Sequence, residues 1–283
     1  MSSDDQQQRR RYWSQYMEEM NTLIEKMLEY PVEESGEPMV SITAAFAKTD
    51  IEVQFSDSKI NGELDRIFYI RAGLIDPLLA IARDMNAIGW ILKIEDGFRT
   101  EQMQRRLVNG AATFDRIVRT CFWECQGEKP PIDLLFRRAR IMIANHGKIG
   151  THTQGAAVDI SVFRKENRSE VWRGKAYLEM SEYTPMASPY VSAEEHDNRM
   201  AITEIMERHR FMHFPGEFWH YNCGDVLFQI LTESNQPGIY GPVHLDLATG
   251  EVTPYEDPMR MLVPPEQMEQ ELELAIKRIH SET

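Results

Sequence analysis

The stretch Ala156 to Phe163, A-A-V-D-I-S-V-F, alternates strictly enough to predict a strand, with Val158, Ile160 and Val162 on one side and Asp159 and Ser161 on the other. An aspartate facing inward from so apolar a strand is costly unless it is paired or bound to a metal. Just upstream, His152 precedes Gly155 and two small alanines, a pattern that lets the backbone turn and enter the strand. These residues require a sheet, and a sheet that carries polar chemistry.

A second cluster, Glu217-Phe218-Trp219-His220, adds a histidine and a carboxylate. A catalytic zinc takes three protein ligands and keeps a fourth position for water. His152, Asp159 and His220 complete such a set and leave Glu217 as a general base. In a regular strand Glu217 and His220 point to opposite faces, so this reading requires an irregular backbone between Pro215 and Asn222. Two alternatives stand beside it: Cys223 as a rival ligand closing a structural site, or a core aspartate with two unrelated histidines.

Elsewhere the chain reads as helices around short strands. Trp13, Tyr16, Met17, Met20, Leu23, Ile24, Met27 and Leu28 form one helical stripe expected to pack on the body of the protein, with a partner subunit as the alternative. Residues 39 to 56 contain short strand-like runs. A helical pattern spans Glu63 to Asn86, broken or kinked at Pro77. G-W-I-L-K-I-E-D-G reads as a strand closed by a turn, leaving Arg99 just past its end. Residues 101 to 125, 132 to 145, 198 to 210 and 264 to 280 read as helices. Cys121 and Cys125, at helical spacing, are read as core.

The 42% hydrophobic share supports a sizeable core. The net charge of -14 argues against nucleic acid or anionic polymers as partners and favours a small, locally recognised substrate. Three cysteines make no disulfide framework. The polar opening S-S-D-D-Q-Q-Q-R-R-R lacks the apolar run of a secretory signal, and no window is long and apolar enough to span a membrane, so a cytoplasmic location is expected.

G-T-H-T-Q-G-A-A-V-D-I resembles the S-x-H-x-x-G-x-A-x-D motif of the zinc D-alanyl-D-alanine peptidases, and E-F-W-H resembles their E-x-W-H motif. D-G-F-R-T and N-R-M-A-I-T-E-I-M-E-R-H-R-F are similar to segments of the D-alanyl-D-alanine dipeptidase branch, the VanX type. Three motifs in order, over residues 64 to 223, weigh more than any one. The resemblance implies one zinc ion on His152, Asp159 and His220, with Glu217 as base and Arg99 polarising the substrate carbonyl. It implies an α+β fold: a small, mostly antiparallel sheet carrying the zinc site, packed by helices, with extra helices at both ends. The expected division is an N-terminal helical extension at 1–50, a catalytic domain at 51–263 and a C-terminal helix at 264–283.

Gly150 stands where the family has a serine, leaving Thr151 or Thr153 to replace that hydroxyl. The family's ammonium-binding carboxylate has no clear counterpart, leaving Glu179 and Glu182 as candidates. The expected activity is zinc-dependent hydrolysis of D-alanyl-D-alanine or a related D-amino-acid dipeptide through a zinc-activated water. A D-alanyl-D-alanine carboxypeptidase or peptidoglycan endopeptidase is the first alternative, a non-catalytic zinc-binding module the second. The oligomeric state is left open.

Overall fold

The apolar stripe of residues 13 to 28 lies along α1 (Ser3–Glu29) and is buried at Trp13, Met17, Met20, Ile24 and Met27. A computed structural model describes residues 3–281. After α1 come β1 (Met39–Ser41), α2 (Ile42–Phe46), β2 (Val53–Phe55), β3 (Tyr69–Arg71), α3 (Ile75–Ala87) and β4 (Trp90–Asp96). Three helices follow, α4 (Glu101–Asn109), α5 (Ala111–Glu124) and α6 (Ile132–Ile143), then β5 (Ala157–Arg164). The remainder is α7 (Ala193–Arg208), β6 (Met212–His213), β7 (His220–Asn222), α8 (Val226–Leu231), β8 (Val243–Leu245), β9 (Val252–Pro254) and α9 (Pro265–Ser281).

Helices pack a five-stranded sheet in the order β2-β4-β5-β7-β6. This sheet is mixed, since β2 runs parallel to β4 while β5 is antiparallel to both β4 and β7. It therefore departs from the small, mostly antiparallel sheet expected. Two further two-stranded ladders, β1 with β3 and β8 with β9, flank it.

The predicted alternation of β5 holds, with a modification: both of its faces are buried from Ala157 to Val162. Val158, Ile160 and Val162 join the main core with Leu78, Ile81 and Met85 of α3 and Ile202 and Met206 of α7. The face of opposite parity carries Asp159, which is 1% exposed. A second cluster joins α5, α6 and α9 through Phe114, Ile117, Leu135, Met268 and Leu272, whereas Leu274 of α9 is exposed. A third joins α1 to Ile141, Phe214, Val226 and Leu227.

The helix expected over 63–86 is half right. Only Ile75–Ala87 is α-helical, after a 3-10 turn at Ala72–Leu74, and Pro77 sits in its first turn, where a missing N–H costs nothing. Ile67, Phe68 and Ile70 instead belong to extended chain: Ile70 pairs with Val40, Ile67 bridges Phe98, and the Phe68 carbonyl accepts from Ile42 N–H. The three cysteines are free thiols, as expected. No helix among the described residues is long and apolar enough to cross a membrane.

Candidate active site

Each predicted ligand arrives on a different local structure. His152 lies in a short 3-10 turn, Thr151–Gln154, that ends at Gly155 in the left-handed region (φ 66°), after which β5 begins. A left-handed residue there suits glycine, and it turns the chain from the turn into the strand. Asp159 follows on β5 and pairs in register with His220, the first residue of β7. The strand does not extend back to Glu217. Residues 215–219 form turns in which Glu217 N–H bonds the Phe214 carbonyl and His220 N–H bonds the Glu217 carbonyl. The irregularity that the parity of Glu217 and His220 required is present.

Buried cations hold that turn in shape. Arg173 Nη1 donates to the Phe218 carbonyl at 3.0 Å and Nη2 to the Ile160 carbonyl at 2.7 Å. The Arg173 and Arg199 guanidiniums lie 4.9 and 4.4 Å from the centre of the Phe218 ring.

The donor atoms of His152, Asp159 and His220 all lie within 4.8 Å of one another, and all three residues are buried. His152 Nδ1–H donates to the Gly97 carbonyl at 2.7 Å, which leaves the Nε2 lone pair facing Asp159 Oδ1 at 3.2 Å. His220 Nδ1 faces the same oxygen at 2.9 Å, and its Nε2 lies 2.8 Å from Thr151 Oγ1. A lone pair facing a carboxylate needs a cation or a proton between them. Two imidazoles and a carboxylate, each oriented from behind, are a donor set suited to zinc. Burial pushes the Asp159 carboxyl up, but the two imidazoles outweigh it and hold the group well below the usual carboxylate value. Cys223 is not part of this group.

The second oxygen of Asp159 is held separately. Tyr177 OH donates to Oδ2 at 2.8 Å and Arg99 Nη2 donates to it at 3.3 Å. Arg99 also donates from Nε to Asp96 Oδ2 at 2.8 Å, and Arg66 pairs with the same oxygen at 3.0 Å. Burial works against the Arg99 charge, yet Asp96 and Asp159 more than offset it and raise its pKa.

Asp96 owes its place to a β-bulge. The ladder pairs Ile94 with Ile160 but Asp96 with Asp159, so one extra residue, Glu95, shifts Asp96 to stand opposite the second aspartate. Next to it, a Cβ on Gly97 would sit 3.0 Å from the Ile67 carbonyl oxygen and 3.3 Å from that of Tyr69. Glycine admits this close backbone approach, and the Gly97 carbonyl is thereby set against His152. Arg99 N–H bonds the His152 carbonyl at 3.2 Å and ties the two motifs together.

One cavity of about 270 Å³ joins these groups, lined by His152, Asp159, His220, Glu217, Arg99 and Tyr177 among others. Burial, reinforced by the negative charge of Asp159, pushes the Glu217 carboxyl up to about 7 against the opposing pull of His220 and Arg99. Of the residues considered for substrate binding, Thr151 lines the cavity. Thr153 does not: it is fully buried and its hydroxyl bonds the Gly147 and Gly150 carbonyls. Glu182 is paired with Arg9 of α1 at 3.0 Å, and Glu179 lines a small neighbouring cavity rather than this one. Tyr177, Asp96 and Arg66 were missed as site residues. Asp96 had a signal, three residues before Arg99 at a strand end, while Tyr177 sits in an irregular stretch without periodicity.

A family profile described as D-ala-D-ala dipeptidase, Peptidase_M15, matches residues 137–236, the span that holds His152, Asp159, Glu217 and His220. Over this span the chain is similar to the Peptidase_M15 family. A D-alanyl-D-alanine dipeptidase of Enterococcus faecium is 31% identical to this chain over 75 residues, 26% of its length. The matched part covers 37% of that relative's length. A match to a solved LD-carboxypeptidase structure covers 74% of this chain and 79% of that one at 17% identity, with a TM-score of 0.37. At that score the likeness says nothing about function.

Proposed function

We propose that this protein is a zinc metallopeptidase that hydrolyses a short D-amino-acid peptide of the D-alanyl-D-alanine class. One observation carries the reading: Glu217 and Arg99 line the same cavity as the three converging donors. A structural metal site needs neither a base nor a fixed cation beside it.

In this reading His152 Nε2, His220 Nδ1 and Asp159 Oδ1 would hold the ion. Zinc bound there would supply a Lewis acid able to lower the pKa of water towards ~7. Glu217 takes the proton from the attacking water and delivers it to the leaving amine. A carboxyl raised to about 7 suits both transfers at neutral pH. Arg99, fixed by Asp96 and Asp159, presents a charged guanidinium to the oxygen on which negative charge develops.

Glu217→Ala is expected to lower kcat by on the order of 10² to 10⁴ while metal content stays unchanged. Near-normal turnover in that variant, at full zinc loading, excludes Glu217 as the base.

A second reading within the same chemistry, cleavage of a peptide whose amino end is blocked, draws support from Glu179 and Glu182. Neither carboxylate lines the cavity where an ammonium would need it.

A further inference from the structure

The cavity is larger than D-alanyl-D-alanine requires. On a scale where one water needs roughly 10–15 Å³, about 270 Å³ accommodates on the order of twenty small groups, about twice the non-hydrogen atoms of that dipeptide. Part of the cavity wall away from the reacting groups is apolar. Ile24 and Met27 of α1 line it together with Phe214 and Leu227, all from one core cluster. Leu107 and Ile143 line it from another.

The carboxylates around this space are already committed. The carboxylates lining the cavity are Asp96, Asp159 and Glu217. Asp96 is bound by Arg66 and Arg99, and the other two belong to the reaction centre. Lys59 pairs with Asp65, and Arg116 donates to the Leu178 carbonyl. A group entering the apolar arm therefore gains burial and finds no counter-ion for an ammonium.

We propose that this arm is a specificity subsite: the cavity takes a D-peptide bearing a bulky, uncharged aliphatic group on one side of the cleaved bond, and Ile24 and Met27 of α1 limit its size. The inference rests on the peptidase reading above and adds the substrate's shape to it. It also gives α1 a direct part in substrate choice.

The test uses the full zinc-loaded chain with free D-alanyl-D-alanine and its N-acetyl, N-butanoyl and N-hexanoyl derivatives. A methylene in an apolar pocket is worth tenfold or more in discrimination, so kcat/KM should rise at least about tenfold from acetyl to hexanoyl. Ile24→Phe, which fills the arm, should bring the hexanoyl-to-acetyl ratio close to one, and Met27→Ala, which lengthens it, should move the optimum to longer chains. Calorimetry on the metal-free protein gives a readout independent of turnover: N-hexanoyl-D-alanine should bind more tightly than N-acetyl-D-alanine, and Ile24→Phe should remove the difference. A flat series, or a preference for the free dipeptide, overturns the subsite and leaves the peptidase standing. Cleavage of none of the four by zinc-loaded protein overturns the peptidase reading and the subsite with it.

Discussion

Tyr177 shows how one hydroxyl can set the state of a candidate metal ligand. Burial pushes its pKa well above the usual tyrosine value, so the group stays protonated and can only donate to Asp159 Oδ2. Oδ1 is then left to the imidazoles. Partners that orient a ligand from behind typically account for 10- to 100-fold in metal affinity. Tyr177→Phe is expected to weaken zinc binding by about that factor in a chelator competition, with little change in the melting temperature of the metal-free protein. An unchanged competition curve excludes the role.

At the scale of elements, the site depends on two interruptions in regular strands, the bulge at Glu95 and the turn before His220. The turn was readable in the sequence, because Glu217 and His220 have opposite parity and serve one site only if the strand breaks between them. The bulge was not, since nothing in W-I-L-K-I-E-D marks Glu95 as the extra residue; the partner strand decides it. The same limit explains residues 64 to 70. Their apolar spacing fits a helix, but pairing with β1 and the Phe98 bridge, set by distant chain, holds them extended. By contrast β5 carried its own answer in its alternation, and the convergence of His152, Asp159 and His220 could be read from the motifs within and beside it.

The helix after β7 offers a test of pH dependence. Asp225 caps α8 by accepting from Phe228 N–H at 2.7 Å and from Asn222 at 2.6 Å, while its other oxygen is buried without a partner. Burial pushes its pKa up to about 6, the hydrogen bonds from Phe228 and Asn222 opposing. A carboxyl raised in the folded state above its unfolded value of ~3.9 adds stability that is full below pH ~4. That contribution is lost as pH rises through about 6. Asp225→Asn keeps the capping acceptor and removes the titration. Denaturant melts between pH 4 and 8 should lose this falling component in the variant, with stability at pH 8 within about 1 kcal/mol of the parent.

For the whole molecule, an ion held only by the folded chain adds stability by mass action. At a hundredfold excess over Kd this amounts to about 2.7 kcal/mol. For a chain of this size the melting temperature should rise by roughly 4–5 °C on adding zinc and return on chelation. The same titration of His152→Ala should show little or no rise. A parent protein whose melting point ignores zinc would contradict a metal centre built from His152, Asp159 and His220.

The cavity wall formed by α1 has a bearing on folding order. Ile24 and Met27 meet Phe214 and Leu227 across roughly two thirds of the sequence, contacts of the kind that form late because the chain entropy of closing so long a loop must be overcome first. His152, Asp159 and His220 lie within a much shorter span of chain, on or beside the paired strands β5 and β7. On this ordering, a chain still folding would bring these three side chains together before the cavity had closed.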